Sequence, residues 1–268
     1  MQSFRVAILQ MCSGPDKDAN LDAVDAAAAE AAQGGARLLA LPEVFSFRDN
    51  FVRERAGAEA IGGPTSRRLS TIARSHGLFI SGGSILEDSD EPNRVFNTSI
   101  LVDPAGEIIS RYRKIHLFDV DMGDRITARE SDHRIPGDEV IVAETSLACF
   151  GLSVCYDLRF PELYRQHVAV GAEILLVPSA FTATTGVLHW ETLLRARAIE
   201  NQCFVIAANQ HGHGPHGHNC HGHSMVVDPW GEILAEASDG DCLFFADLDA
   251  DRLASYRARI PALSHRRL

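Results

Sequence analysis

A chain of 268 residues with 46% hydrophobic and 23% charged side chains has ordinary globular composition, and it is long enough to bury a core without disulfides or a structural metal. Its formal net charge of −11 at pH 7 argues against a nucleic-acid or anionic-membrane partner, and no apolar run approaches the roughly 18 residues of a membrane span. The six cysteines form no disulfide framework or paired CxxC pattern, and MQSFRVAILQM is not built like a secretion signal. A reducing, cytoplasmic location is therefore expected, with any special cysteine present for its reactivity.

Short apolar runs alternate with amphipathic ones along the chain, which predicts an α/β or layered α+β fold. Residues 5–11 read as a strand. Residues 20–33 read as a helix with Leu21, Val24, Ala28 and Ala31 on one face, stopped by Gly34-Gly35. A buried strand at 36–42 and a helix at 65–76 follow. Strands are then expected at 78–85, 98–103 and 107–115, the last two joined by a turn at Pro104-Ala105-Gly106. Residues 149–155 form another buried strand, and Pro161 suits the first turn of a helix running to about residue 169. Strand 173–179, helix 185–201 and strands over CFVIAAN, HSMVVD and EILAEAS complete the list. No linker-like shift in composition divides the chain, so residues 1–268 are expected to form one domain.

The halves repeat one another. GARLLALPEVF (35–45) aligns with GAEILLVPSAF (171–181), LFISGG (78–83) with CFVIAA (203–208), and SILVDPAGEI (99–108) with SMVVDPWGEI (224–233). Three matches in one order predict two β-α-β-rich halves, hence two sheets sandwiched between helices.

The repeat breaks where one half carries Glu43 and the other Ser179. A carboxylate just past an all-apolar strand is not needed for packing, and strand ends are where side chains converge on a site in α/β folds. Cys155 likewise ends an apolar run, before Tyr156-Asp157-Leu158-Arg159. Lys114 sits near the end of another predicted strand. Taken singly, Cys155 could be a small core hydrophobe, Glu43 a helix-end carboxylate and Lys114 a surface cation.

LPEVF (41–45), RKIHLFD (113–119) and CYDLRFPELYR (155–165), in that order, closely resemble the nitrilase superfamily of carbon–nitrogen hydrolases, and the resemblance extends from RVAILQM to PALSHRR. It implies a four-layer αββα sandwich with an internal pseudo-twofold. It also implies a catalytic triad of Glu43, Lys114 and Cys155, with Glu130 as a second glutamate that positions Lys114 or the substrate amide. The backbone N–H of Tyr156 joins Lys114 in holding the oxyanion. The implied reaction is hydrolysis of a small-molecule amide through a thioester, with no cofactor and no metal, in an assembly of at least two chains.

Tyr156-Asp157 follows the cysteine where nitrile-cleaving relatives carry Trp-Glu, so the resemblance favours an amidase. GHSMVVDPWG, LRARAIENQC and CYDLRFPEL resemble the deaminated glutathione amidase branch most; KIHLFDVD and ITARES are equally similar to the omega-amidase branch. Both branches act on an amide at the far end of a 2-oxo acid. Arg159 is matched by an arginine that binds a substrate carboxylate in N-carbamoyl amino-acid amidohydrolases; the alternative is an ion pair with Asp157 or Glu162. His189 and Trp190 are expected to pack a helix. QHGHGPHGHNCHGHS (210–224) holds six histidines and Cys220, but its glycines and its spacing suit a surface loop better than a metal site. The rival classes are a catalytically silent binding or scaffold member of the same fold and a metal-handling protein.

Overall fold

The computed structural model describes residues 1–123, 126–217 and 219–267, apart from the side chain of residue 216. Among these residues lie an eight-stranded and a six-stranded sheet. In the first, strands Phe4–Gln10, Leu38–Ala40 and Phe79–Ser81 run parallel. In the second, Cys149–Leu152, Ile174–Leu176 and Phe204–Ala207 do the same. The aligned repeats occupy equivalent places, so the pseudo-twofold is real.

Side-chain alternation builds the layers. Val6, Ile8, Leu38 and Ala40 turn into a core shared with Phe150, Leu152, Ile174 and Leu176 of the second sheet. Their neighbours Ala7, Leu9, Leu39 and Leu41 face helices Lys17–Gln33 and Pro64–His76, packing on Leu21, Val24, Leu69 and Ile72. Helices Pro161–Ala169 and Ala183–Asn201 cover the second sheet through Leu163, Leu194 and Ala198. The result is an αββα sandwich.

The halves exchange edge strands. Val142–Glu144, which ends the first half, pairs antiparallel with Cys149–Leu152 of the second sheet. Cys242–Leu248, which ends the second half, pairs along its whole length with Phe4–Gln10 of the first.

Several elements depart from the sequence expectation. The first helix begins at Lys17, because Asp16 caps it by accepting from Ala19 N at 3.0 Å. The run 78–85 is broken into Phe79–Ser81 and Ile85–Glu87. Between them Gly83 has φ +48°, and a Cβ there would lie 1.9 Å from the Pro42 carbonyl oxygen, so only glycine lets this crossing press against the residue before Glu43. The strand over 149–155 stops at Leu152, and Cys155–Arg159 forms a single 3-10 turn instead.

Candidate active site

Glu43 follows strand Leu38–Ala40 and Pro42 at the sheet end and is 5% exposed. Its backbone carbonyl accepts from Gln210 Nε2 at 3.0 Å. The next residue, Val44, has φ +50° and donates its N–H to Ser84 Oγ at 2.9 Å. Cys155 also has φ +50°. Left-handed backbone at a β-branched residue and at a cysteine stores strain that the surrounding bonds must hold, and here both strained residues lie at the same site.

The side chains converge. Glu43 Oε1 accepts from Asn97 Nδ2 at 2.8 Å and from Lys114 Nζ at 3.2 Å, while Oε2 accepts from Ala180 N at 2.7 Å. The Cys155 thiol lies close enough to the same carboxylate to couple to it electrostatically. Lys114 Nζ also donates to Glu130 Oε2 at 2.8 Å and Oε1 at 3.1 Å. Glu130 Oε2 in turn accepts from Phe118 N at 2.6 Å, which fixes the carboxylate. The four residues expected to act together, Glu43, Lys114, Glu130 and Cys155, thus form one network at the floor of a cleft of about 480 Å³.

Burial sets the protonation states by competing with these partners. Burial alone would raise the Glu43 carboxyl, but Lys114, the Cys155 thiol and Asn97 together hold it below its ordinary value. Burial likewise disfavours a charged Lys114, yet Glu130 and Glu43 carry it above the usual lysine range. The Cys155 thiol is pushed well up by burial and by the Glu43 charge, more than Lys114 can lower it. The resting site is therefore a neutral thiol beside a carboxylate base and a permanent ammonium. That arrangement can remove a proton from sulfur as sulfur attacks, then return it to a leaving amine.

Asp157 was missed as part of the architecture. Fully buried, it accepts from Val154 N at 2.8 Å, Tyr112 OH at 2.7 Å, His116 N at 3.0 Å and His116 Nδ1 at 2.7 Å. It ties the Cys155 turn to the segment carrying Lys114. An acid two residues past the cysteine, where the chain has just left an apolar strand, was the available signal. Asn97 and the Ala180 amide gave none, since only tertiary packing brings them to Glu43.

Tyr156 lines the cleft, its ring edge-on to Phe118 and Phe160 with centroids 5.1 and 5.4 Å away. Arg159 lies there too. Its guanidinium sits 5.1 Å from the Phe181 ring centroid and 5.7 Å from that of Tyr156. Nη1 is 3.1 Å from His189 Nδ1, and among the described residues Arg159 pairs with neither Asp157 nor Glu162. Trp190 is buried and donates to the His223 carbonyl at 2.7 Å, as a packing residue should. His189 differs: it is exposed and meets Arg159.

The histidine-rich segment is a hairpin rather than a plain loop, with His211–His213 paired to Asn219–His221. His211 meets Asp241 at 2.6 Å and His223 meets Glu236 at 2.7 Å, while buried Cys220 lines the cleft. Among the described residues no group of three or more His, Cys, Asp or Glu is placed to hold a metal ion; residue 218 and the side chain of 216 lie outside them.

An αββα sandwich with thiol, carboxylate and ammonium locked together at the sheet ends defines a class of thiol-dependent amide hydrolase. The chain belongs to the carbon–nitrogen hydrolase family, whose profile matches residues 5–258. It is 41% identical over 269 residues to the deaminated glutathione amidase of Synechocystis sp., covering 99% of both chains. It is 38% identical to omega-amidase NIT2 of Xenopus tropicalis, covering 100% of this chain and 96% of the relative. Among solved structures it superposes on the C. elegans NitFhit protein with a TM-score of 0.93 at 38% identity, matching 66% of that longer chain. An amidase from Nesterenkonia sp. AN1, with acrylamide added at its active-site cysteine, matches with a TM-score of 0.80 at 33% identity, covering 96% of this chain and 98% of that one. The chain is an amidase of the nitrilase superfamily. No helix among the described residues is long and apolar enough to cross a membrane.

Proposed function

We propose that this amidase cleaves an amide at the far end of a 2-oxo acid, with deaminated glutathione as its preferred substrate, and that Cys155, Glu43, Lys114 and Glu130 carry the reaction. The observation behind the mechanism is the buried network in which one carboxylate, Glu43, meets both the thiol and the ammonium. Glu43 takes the thiol proton as Cys155 Sγ adds to the carbonyl. The oxyanion that forms is held by Lys114 and the Tyr156 backbone N–H. Collapse expels the amine, which receives the proton from Glu43 and leaves a thioester. Glu43 then takes a proton from water as it attacks, the thioester breaks, and the acid leaves with the thiol restored. Glu130 keeps Lys114 aimed at the oxyanion.

The substrate side rests on Arg159, a cleft guanidinium paired to no carboxylate among the described residues and cushioned on two aromatic rings. It suits the carboxylate of a 2-oxo acid. Omega-amidase action, on the primary amide of the same acyl group, is the second reading, favoured by the full-length similarity to omega-amidase NIT2. We also infer a single-domain, cytoplasmic enzyme that self-associates: Val187 and Leu188 on helix Ala183–Asn201 are each 76% exposed, an apolar surface suited to a second copy.

The test measures amine or ammonia release from deaminated glutathione, 2-oxoglutaramate, glutamine and N-carbamoyl amino acids. The highest kcat/KM is expected for deaminated glutathione. A preference for glutamine or N-carbamoyl amino acids over both 2-oxo acid amides would overturn the assignment.

A further inference from the structure

Arg48 lines the same cleft and takes no part in the steps above. Its backbone is anchored, the N–H donating to the Gly14 carbonyl at 3.1 Å, but its guanidinium is poorly satisfied. Nη2 reaches Cys220 Sγ at 3.4 Å, a weak acceptor. Nη1 is buried with no hydrogen-bond partner among the described residues. A buried charged donor left without an acceptor is costly, so a fold that keeps one invites an explanation.

Two acids close to it in the chain, Asp49 and Glu54, are engaged elsewhere. Glu54 pairs with Arg134, and Asp49 with Arg53. Of the other arginines lining the cleft, Arg134 holds Glu54 and Arg129 is exposed, opposite Asp119 across a strand pair, whereas Arg48 and Arg159 meet no carboxylate among the described residues.

Their places follow one short stretch of chain. Ala180 donates its N–H to Glu43, the Phe181 ring underlies Arg159, and Thr182 forms an antiparallel bridge with Cys220, which Arg48 contacts. Arg48 and Arg159 thus line the cleft that holds the thiol through different neighbours along this stretch.

We propose that Arg48 binds a carboxylate on the amine side of the scissile bond, opposite the acyl carboxylate held by Arg159. The inference rests on the 2-oxo acid amide reading and deepens it: the site takes a diacid whose leaving amine is itself acidic, as a short peptide with a free C-terminus is. A half-buried cleft guanidinium whose one acceptor among the described residues is a thiol sulfur gains a charge-assisted partner there, and a primary amide, which releases only ammonia, leaves it empty.

The test compares wild type, Arg48→Met and Arg48→Lys on three substrates with one acyl group: deaminated glutathione, its C-terminal carboxamide and 2-oxoglutaramate. Arg48→Met should lower kcat/KM for the free acid about 30-fold or more, chiefly through KM. Losses on the other two should stay within about threefold, with Arg48→Lys recovering part of the acid preference. Equal losses on all three would make Arg48 a structural residue, and no loss on the free acid would remove it from recognition; either overturns the proposal. A wild type that cleaves 2-oxoglutaramate but not deaminated glutathione also overturns it, while leaving the 2-oxo acid reading intact. A wild type inert toward all three sinks that reading itself, and this inference with it.

Discussion

In the proposed mechanism Cys155, Glu43 and Lys114 divide the chemistry in a way that single substitutions can separate. Cys155→Ala removes one small atom from a packed site, so turnover should vanish while the circular dichroism spectrum and the melting temperature stay close to wild type. Mass spectrometry of wild type quenched during turnover should find an acyl group on the peptide holding Cys155. Lys114→Met should lower kcat about 100-fold or more with a smaller change in KM, because the ammonium matters most to the oxyanion. An effect confined to KM would refute that role. The pH profile follows from the protonation states. Glu43 is held below its ordinary value and is the proposed base when ionised, so kcat/KM should be lost only as pH falls through that depressed value, below the usual glutamate range. The thiol is raised well above its own ordinary value, so no alkaline limb from its ionisation is expected below about pH 9. Glu43 and Cys155 were legible in the sequence because each follows an apolar run where packing requires neither a charge nor a thiol, and Lys114 was legible through the family-like motif RKIHLFD around it. Asn97 and the Ala180 amide were not, since nothing local distinguishes them from any other asparagine or backbone N–H.

At the scale of elements, the turn Cys155–Arg159 depends on what holds Asp157. Tyr112→Phe deletes one hydrogen bond to that buried carboxylate and should cost about 1.5–3 kcal/mol in urea unfolding, with the fold kept. Helix Pro161–Ala169 carries a second electrostatic liability. Burial pushes His167 down to about 4, against a smaller opposing pull from Asp157. Its folded value lies below its unfolded one, so between about pH 4 and 6.5 the unfolded chain binds more protons, and stability should rise with pH across that window by up to about 3 kcal/mol. His167→Leu should flatten this part of the profile, and an unchanged slope would assign it to other groups. Sequence patterning placed this helix from Pro161 to about residue 169, because Pro161 suits a first turn and Gly171 closes the end. It overextended the strand before it, because the apolar run through Val154 does not reveal that Cys155 turns left-handed. It also missed helix Phe51–Ala56, whose six residues are too few to show a period.

Over the whole molecule, the internal repeat was readable because equivalent strands solve the same packing problem twice, as Leu38–Ala40 and Ile174–Leu176 do. The edge strand Cys242–Leu248 went unassigned: its partner, Phe4–Gln10, lies at the other end of the chain, and no local pattern encodes that pairing. The same strand fixes an order of events during synthesis. Phe4–Gln10 is made well before its partner, and that edge stays unpaired until residues 242–248 follow, roughly 10–50 s later at about 5–20 residues per second. For that interval a buried-type strand presents open backbone groups to any passing chain. Over that interval the nascent chain is expected to be a client for holding chaperones. A chain cut after residue 241 should stay bound to such chaperones or aggregate, and adding a peptide of residues 242–268 in trans should restore part of its solubility and its turnover.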